Sequence, residues 1–319
     1  MDSAASIAEL PQPKAAKPDL EFLWLELTNR CNLQCTHCYS ESTPYSGTQD
    51  LLTEDEYKAL LSDARTLGCR QVQFIGGEPT LNKNLPQLIR FASHLAYEFI
   101  EVFTNLLTLE GALITTLQEC GTCIATSFYS SRRPVHDQIT RGIGSFDKTV
   151  ANIRRVLSAG IPLRVGVIEM PANAGEFERT TAFLRTLGVT SIGLDHVRAF
   201  GRAQPGNSCS MSDLCGKCAG NILAVGPDGV VAPCIMSKRW ALGSALTDRL
   251  TNIVRSDRTA AIRNEIASAT GANMTDCYPQ CGPQSPSCTP ECNPSAQCVP
   301  CAPNGGHKCQ PNGWCGPAQ

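Results

Sequence analysis

Three cysteines near the start of the sequence, Cys31, Cys35 and Cys38, are spaced as C-x3-C-x2-C. Thiolates of this kind bind zinc or iron–sulfur clusters. Structural zinc sites and closed clusters take four protein ligands, so three thiolates favour a four-iron cluster with one iron left open. The spacing alone leaves a zinc knuckle or a group of buried thiols as the alternative.

A second motif whose residues could take part in binding or catalysis, Gly76-Gly77-Glu78-Pro79, follows the apolar run 71–75. Two adjacent glycines allow a ligand to approach the backbone closely, because neither carries a side chain. The glutamate beside them can accept hydrogen bonds from an ammonium group. An ordinary turn is the alternative for this motif by itself.

The segments that must position these motifs alternate between apolar runs of strand length and helical patterns. Strands are predicted at 22–28, 71–75, 99–103, 123–128, 162–168 and 191–196. Helices are predicted near 54–67, 84–98, 111–119, 147–159 and 175–187. This alternation indicates an α/β fold with a parallel sheet, and both a partial barrel and an open doubly wound sheet fit six strands. Both motifs then lie at the carboxyl ends of neighbouring strands, where such folds place their sites.

Together, the cysteine triplet and the Gly76–Pro79 motif make the sequence similar to the radical S-adenosylmethionine (SAM) superfamily over roughly residues 20–200. The resemblance implies a partial (β/α)6 barrel with a cysteine-rich C-terminal extension. It also implies that the three cysteines hold a [4Fe–4S] cluster, whose open iron is chelated by the amino and carboxylate groups of SAM. One electron from the reduced cluster would cleave SAM, and the resulting 5′-deoxyadenosyl radical would abstract a substrate hydrogen. The segment Gly76–Pro79 is expected to form part of the SAM pocket.

Ser127 and Arg141 are two further SAM contacts that the resemblance implies. Ser127 lies near the end of the fourth predicted strand, where relatives often carry a polar residue near SAM. Arg141 precedes a glycine-rich turn that opens a helix, and relatives often use this arginine near the SAM carboxylate. A strand-end hydroxyl and a solvated loop charge are the alternative interpretations.

A second cysteine group consists of Cys209, Cys215, Cys218 and Cys234. The segment 221–234 is predicted to form a hairpin, because Pro-Asp-Gly separates two apolar runs. Such a hairpin would return its last cysteine toward the earlier ones. The pattern resembles the opening of the SPASM extension, which holds auxiliary [4Fe–4S] clusters, and both Cys215 and Cys218 satisfy its spacing.

The C-terminal tail is rich in cysteine, proline and glycine and poor in aliphatic residues, so it needs cross-links to hold a fold. Its eight cysteines are Cys277, Cys281, Cys288, Cys292, Cys298, Cys301, Cys309 and Cys315. They are candidate ligands for one or two auxiliary [4Fe–4S] clusters, which take four cysteines each. A zinc-stapled or disulfide-stapled knot is the alternative.

Some side chains that could do chemistry fall outside these groups. Cys69, Cys120 and Cys123 have no partner pair nearby in the sequence and are interpreted as buried, inert thiols. His37 lies inside the first cysteine loop and is interpreted as shaping it. The segment 195–198 carries an aspartate, a histidine and an arginine at a strand end, where a substrate contact and a structural role are both open.

The composition of the chain divides it into three predicted parts. These are a flexible N-terminal segment 1–20, a radical SAM barrel 21–204 and a SPASM-like auxiliary-cluster domain 205–319. A single helix is expected near 247–267. The last part contains most of the cysteines, twelve of the 18 in the chain, so it is the part where further clusters are expected.

Charge and hydropathy limit the possible classes of protein. The 319 residues include 27 basic and 29 acidic side chains, for a formal net charge of -2, so nucleic acid is not an expected partner. No apolar run reaches membrane-spanning length, and the start lacks a signal-peptide core. We therefore expect a cytoplasmic protein, in which clustered thiols bind metal more often than they form disulfides.

The resemblance predicts an enzyme that cleaves SAM reductively and modifies a ribosomally made peptide. Epimerisation, thioether or carbon–carbon crosslinking, and oxidation are the expected types of modification. The expected partners are this peptide and an external one-electron reductant of the flavodoxin or ferredoxin type. A small-molecule dehydrogenase or decarboxylase of cofactor or antibiotic biosynthesis is one alternative, and a non-catalytic zinc-binding interaction protein is another.

Overall fold

The computed structural model describes residues 18–47, 50–204, 206 and 209–271. The eight tail cysteines and most of the predicted N-terminal segment lie outside these residues. The strands are β1 (Phe22–Glu26), β2 (Gln71–Ile75), β3 (Phe99–Phe103), β4 (Cys123–Phe128), β5 (Leu163–Glu169), β6 (Ser191–His196), β7 (Ile222–Val225), β8 (Val230–Ala232) and β9 (Gly243–Ser244). The α-helices are α1 (Glu54–Thr66), α2 (Leu85–His94), α3 (Gly111–Glu119), α4 (Arg133–Thr140), α5 (Ser145–Ser158), α6 (Phe177–Thr186), α7 (Leu250–Val254) and α8 (Asp257–Thr270).

The first six strands form a parallel sheet in the order β6-β5-β4-β3-β2-β1. Each is joined to the next by at least one helix, as connections between parallel strands require. The predicted α/β class and partial (β/α)6 barrel are confirmed. Since all six strands run the same way, their carboxyl ends meet at one edge of the sheet.

The alternation of side chains along β1 separates the core from the inner face of the sheet. Leu23 and Leu25 are buried in the main core beneath the helices. Phe22 and Trp24 instead belong to a second apolar cluster that includes Leu214. Because successive side chains of a strand point to opposite faces, the main core lies on one face of the sheet and the second cluster on the other. Helix α8 contributes Ile266 to the second cluster.

The predicted start of α1 is confirmed in its details. The Thr53 side chain accepts a hydrogen bond from the Glu56 backbone N–H at 3.3 Å, and the Glu56 carboxylate accepts one from the Thr53 N–H at 2.6 Å. This reciprocal pair satisfies two backbone donors that the first turn would leave unpaired. Gly68, with φ of +89°, follows the last turn as predicted.

The predicted hairpin forms from β7 and β8, and it extends the barrel sheet. β7 pairs in parallel with β1, while β8 pairs with β7 in the antiparallel sense. Gly229 lies in the turn with φ of +80°, a conformation that favours glycine. The sheet therefore continues across residue 204, where the sequence suggested a domain boundary, and β1 is a central strand.

The structure differs from the sequence prediction at two helices. The single helix expected near 247–267 is divided into α7 and α8, because Ser256 caps α8 by accepting a hydrogen bond from the Thr259 N–H at 3.2 Å. The segment of α4 was not predicted as a helix, although Pro134 in its first turn is a helix-start signal. α4 matters for the site, because it lies behind the first cysteine loop.

Replacing Leu223 by alanine tests whether the hairpin and the barrel share one core. Leu223 lies in β7, is fully buried and belongs to the main core, so its loss should cost about 2–5 kcal/mol. We expect thermal unfolding of the full chain to shift downward as one transition. Leu246→Ala, at a position 42% exposed, is the control and should leave the midpoint near that of the wild type. A normal midpoint in Leu223→Ala would contradict the shared core.

Candidate active site

A cavity of about 410 Å³ opens on the inner face of the sheet, among the carboxyl ends of its strands. Thiols from two distant parts of the chain lie in its wall. They are Cys31, Cys35, Cys38, Cys215, Cys218 and Cys234. The fold thus brings the first cysteine group and three members of the second group to one space.

The first cysteine loop follows β1 and is partly buried. Cys31 is 8% exposed, and its sulfur accepts hydrogen bonds from the Leu33 N–H at 3.4 Å and the Asn105 amide at 3.7 Å. Burial raises the pKa of both Cys31 and Cys35 to about 12. A thiolate in this wall therefore requires a nearby cation, and metal coordination supplies one.

The glycine pair after β2 packs against the backbone that leads into this loop. The Gly77 N–H donates to the Thr28 carbonyl at 2.8 Å, and the next N–H donates to the Arg30 carbonyl at 2.8 Å. A Cβ atom at Gly77 would overlap the Arg30 carbonyl oxygen, and one at Gly76 would lie 2.7 Å from that of Thr28. Glycine is needed here because another backbone approaches, while both glycines also line the cavity.

Glu78 lies outside the cavity wall, where it accepts hydrogen bonds from protein donors. It is 1% exposed, and its carboxylate accepts from the Thr80 N–H at 3.1 Å, the Thr104 hydroxyl at 2.7 Å and the Asn105 N–H at 2.8 Å. Burial raises the pKa of Glu78, and these hydrogen bonds oppose the rise. The carboxylate thus fixes the end of β3, and through Asn105 it supports the sulfur of Cys31. Pro79 is buried in the short 3-10 helix Pro79–Leu81.

Replacing Glu78 by glutamine tests this supporting role. The glutamine would place an amide N–H₂ among donors that now meet a carboxylate, at a cost of about 1–3 kcal/mol. We expect a lower thermal midpoint and a lower iron content after anaerobic reconstitution. Glu178→Gln, on the exposed surface of α6, is the matched control. Equal iron content and stability in the two variants would contradict the role.

The two other predicted SAM contacts differ in position. Ser127 lies in the cavity wall, one residue before the end of β4. Arg141 follows α4 with φ of +52°, and its side chain is exposed and outside the wall. The structure therefore brings Ser127 together with the cysteines and glycines and places Arg141 on the outer surface.

α4 contributes residues to the site that the sequence analysis did not identify. Its last carbonyls accept hydrogen bonds from the cysteine loop, Gln34 N–H to Thr140 at 3.3 Å and Thr36 N–H to Ile139 at 2.9 Å. His136, in the same helix, lines the cavity beside Tyr129, with ring centroids 5.3 Å apart. The pattern that could have indicated this helix is the Arg-Pro start followed by glycine at 142.

Two histidines in the wall, half-buried His37 and buried His136, contact the ring of Tyr129. The His37 ring meets it edge-on at 4.9 Å between centroids, and the His136 ring lies 5.3 Å from it. Burial lowers the pKa of each histidine to about 4, so both are neutral near pH 7. Within the described part of the chain, the Nδ1 atom of each has no hydrogen-bond partner.

Stability should therefore fall on acidification through His136. Its pKa is about 4 in the folded protein and about 6.5 in the unfolded chain, so as the pH falls below 6.5 the unfolded chain is protonated first. Between pH 7 and pH 5 this linkage removes about 2 kcal/mol of stability. We expect His136→Phe to lose less stability than the wild type over that interval in denaturant unfolding. Identical losses in both proteins would contradict this assignment.

The second cysteine group is assembled by the hairpin, as predicted. Cys218 and Cys234 lie in hydrogen-bond contact, which together with burial raises the pKa of the Cys218 thiol. Cys215 also lines the cavity, so the structure keeps both of the spacing alternatives near Cys234. Cys209 lies outside the wall, where its sulfur accepts a hydrogen bond from Arg239 at 3.1 Å.

Polar side chains on the inner face of the sheet form a further part of the wall. Arg164 donates two hydrogen bonds of 2.8 Å to the buried carboxylate of Glu101, which also accepts from Gln73. Arg198 lies 3.5 Å from Asp195 near the end of β6. Most of these side chains were not identified from sequence, because a polar residue within an apolar strand has no motif that marks it.

The donor chemistry of the wall fits a [4Fe–4S] cluster with SAM. Three thiols on one loop, glycine backbone and the Ser127 hydroxyl line the same cavity. In the described residues, no three His, Cys, Asp or Glu side chains are grouped closely enough to hold a single metal ion.

None of the helices in this part of the chain has the length and apolar character needed to span a bilayer.

Comparison of the sequence with protein families gives two matches. Residues 25–184 match the model of the radical SAM superfamily, and residues 215–282 match the model of the SPASM iron–sulfur cluster-binding domain. Together the two matched ranges contain all six cysteines that line the cavity, while Cys209 lies between the two ranges.

Two curated relatives show how far the sequence similarity extends. A PqqA peptide cyclase of Rhodopseudomonas palustris is 33% identical over 149 residues, which cover 45% of this chain and 38% of the relative. A probable GTP 3′,8-cyclase of Saccharolobus solfataricus is 29% identical over 184 residues, which cover 57% of this chain and 58% of the relative. The chain thus matches less than two thirds of the length of either protein.

Two solved structures are similar in fold. Streptococcus suis SuiB bound to S-adenosylmethionine has a TM-score of 0.63 at 11% identity, over 76% of this chain and 68% of that one. Native anSMEcpe with bound AdoMet has a TM-score of 0.59 at 13% identity, over 75% of this chain and 82% of that one. With the match to the family model over half of the sequence, these findings establish that the chain belongs to the radical SAM superfamily, whose enzymes bind a [4Fe–4S] cluster and SAM, and that it carries a SPASM region.

Proposed function

We propose that this chain is a radical SAM peptide-modifying enzyme and that Cys31, Cys35 and Cys38 ligate its SAM-cleaving cluster. The observation that carries the proposal is the single cavity whose wall contains these thiols and those of the second group. When bound, the reduced cluster supplies one electron to SAM and thereby generates a radical that removes a hydrogen atom from the substrate. The 21–204 region would hold this site, and the 205–319 region would hold the auxiliary clusters.

Different residues of the chain have different roles in the proposed site. Gly76 and Gly77 present backbone to SAM, and Ser127 offers a hydroxyl in the same wall. Asn105 donates to the Cys31 sulfur and fixes its orientation. Apolar rings such as Trp24 and Phe103 line the inner face and keep water from the radical.

Cys215, Cys218 and Cys234 are proposed as ligands of an auxiliary [4Fe–4S] cluster. They line the same cavity as Cys31, Cys35 and Cys38, so a substrate bound in this cavity would lie within reach of a second redox centre. Cys209 and the eight tail cysteines, which lie outside the described residues or the cavity wall, are proposed to supply the remaining ligands. An external one-electron reductant of the flavodoxin or ferredoxin type would complete the system.

A peptide substrate is supported by two observations. The relative from R. palustris is named a peptide cyclase, and it shares 33% identity with this chain over the matched stretch. The charges in the cavity also fit a peptide better than a nucleoside triphosphate. Arg164 is neutralised by Glu101 and Arg198 lies beside Asp195, so most of the cationic side chains in the wall already face carboxylates.

The proposal is tested by replacing Cys31, Cys35 and Cys38 together by alanine. We expect a loss of about four irons per chain after anaerobic reconstitution and the loss of dithionite-driven 5′-deoxyadenosine formation. The matched control replaces Cys69, Cys120 and Cys123 by alanine, three cysteines outside the cavity wall, and should retain both.

Either unchanged 5′-deoxyadenosine formation in the first triple variant or a zinc-containing, iron-free wild type would reject the proposal. The substrate class is tested with the same preparations, by mass spectrometry of candidate short peptides and of GTP after single turnover. Deuterium transfer from a labelled peptide into 5′-deoxyadenosine is the result expected of a peptide substrate, and transfer from labelled GTP would reject it.

A further inference from the structure

The segment that follows β6 is bound tightly to the first cysteine loop. The Arg202 backbone N–H donates to the Cys38 carbonyl at 3.0 Å. Its side chain donates from Nε to the Cys35 carbonyl at 2.7 Å and from Nη2 to the Ser42 carbonyl at 2.9 Å. One residue thus holds three points along the loop, two of them at the cysteines proposed as cluster ligands.

The residue before it allows this close contact. Gly201 has φ of +55°, and a Cβ atom there would overlap the carbonyl oxygens of Cys38 and Tyr39. Only glycine fits such an approach without moving the loop. The contact between the two segments therefore depends on both Gly201, which allows the close approach, and Arg202, which makes the hydrogen bonds.

The charge of Arg202 has no carboxylate to balance it in the described part of the chain, where its hydrogen-bond partners are all backbone carbonyls. The side chain is half-buried. An unbalanced charge at such a position is costly unless an anion lies nearby. Three thiolates that bind a cluster would supply that anion.

We propose that Arg202 is a positioning residue that fixes the cysteine loop around the cluster and makes the cluster easier to reduce. The inference rests on the proposed function, because it assigns the cluster to Cys31, Cys35 and Cys38. Reduction adds one negative charge to the cluster, and a fixed cation nearby stabilises the reduced form more than the oxidised form. The planar fork of arginine also allows two carbonyls to be held at once, which a lysine ammonium does less well.

The experiment separates the two effects of Arg202 with two substitutions in the full chain. Arg202→Gln removes the charge, and Arg202→Lys keeps the charge while losing the fork. Arg65→Gln and Arg65→Lys are the matched controls, because Arg65 also donates to two backbone carbonyls, but to those of Leu95 and Cys69, outside the first cysteine loop. All variants are reconstituted anaerobically.

Two properties are measured besides activity. The midpoint potential of the cluster whose EPR signal changes on addition of SAM is determined by redox titration. The rate at which a ferrous chelator removes iron from the reconstituted protein reports how firmly the loop holds the cluster. We expect a more negative potential in Arg202→Gln, a potential near that of the wild type in Arg202→Lys, and iron release several-fold faster in both than in the Arg65 variants.

The results distinguish this inference from the proposed function. If the wild type binds no SAM-responsive cluster, the proposed function fails, and the inference fails with it. If the wild type has the cluster, but the Arg202 variants match the Arg65 variants in potential and iron release, only the inference is overturned. Should Arg202→Gln retain no cluster, faster iron release from Arg202→Lys than from Arg65→Lys supports the inference, and equal rates overturn it.

Discussion

The site depends on the contact between two loops that follow neighbouring strands. The backbone after β1 offers the carbonyls of Thr28 and Arg30, and the Gly77 and Glu78 N–H groups bind them. This contact requires the absence of side chains at Gly76 and Gly77, and it sets where Cys31 begins its loop. The positions of the thiols, of the glycine backbone and of the cavity wall therefore all depend on this contact. A change in the glycine pair would move the cysteines as well as the glycine backbone in the cavity wall.

Buried polar groups around the site differ in whether they have a hydrogen-bond or ion-pair partner. Carboxylates inside the fold have definite partners: Glu78 accepts from strand-end donors, Glu101 faces Arg164, and Glu26 meets Tyr39 and Lys238. In the described residues, the Nδ1 atoms of His37 and His136 have no hydrogen-bond partner and lie near the first cysteine loop, where the charge of Arg202 also faces only carbonyls. Other buried polar atoms without a partner, those of Arg263 among them, lie away from the cavity wall. The buried carboxylates therefore stabilise the framework, while unpartnered polar atoms occur both at the site and elsewhere.

Sequence patterns were sufficient where local chemistry decides the structure. The alternation of strands and helices, the Thr53 cap and the hairpin at Gly229 all follow from residues close in sequence. Patterns carry little information where contacts between distant residues decide the structure. The carboxylate of Glu78 accepts a hydrogen bond from Thr104 after β3, a contact that only the assembled sheet reveals. Arg141 lies exposed at the end of α4, a helix that was not predicted. The junction of β7 with β1 pairs residues about 200 positions apart, for which no local signal exists.

That junction has a consequence for how the protein is made. Of the described strands, β1 is synthesised first, yet one of its two neighbours, β7, is completed only after about 200 further residues. During synthesis the strand that carries the cysteine loop presents an unpaired edge, which other chains can bind. The order of translation thus leaves the strand that carries the cysteine loop without one of its two neighbours until β7 has been made.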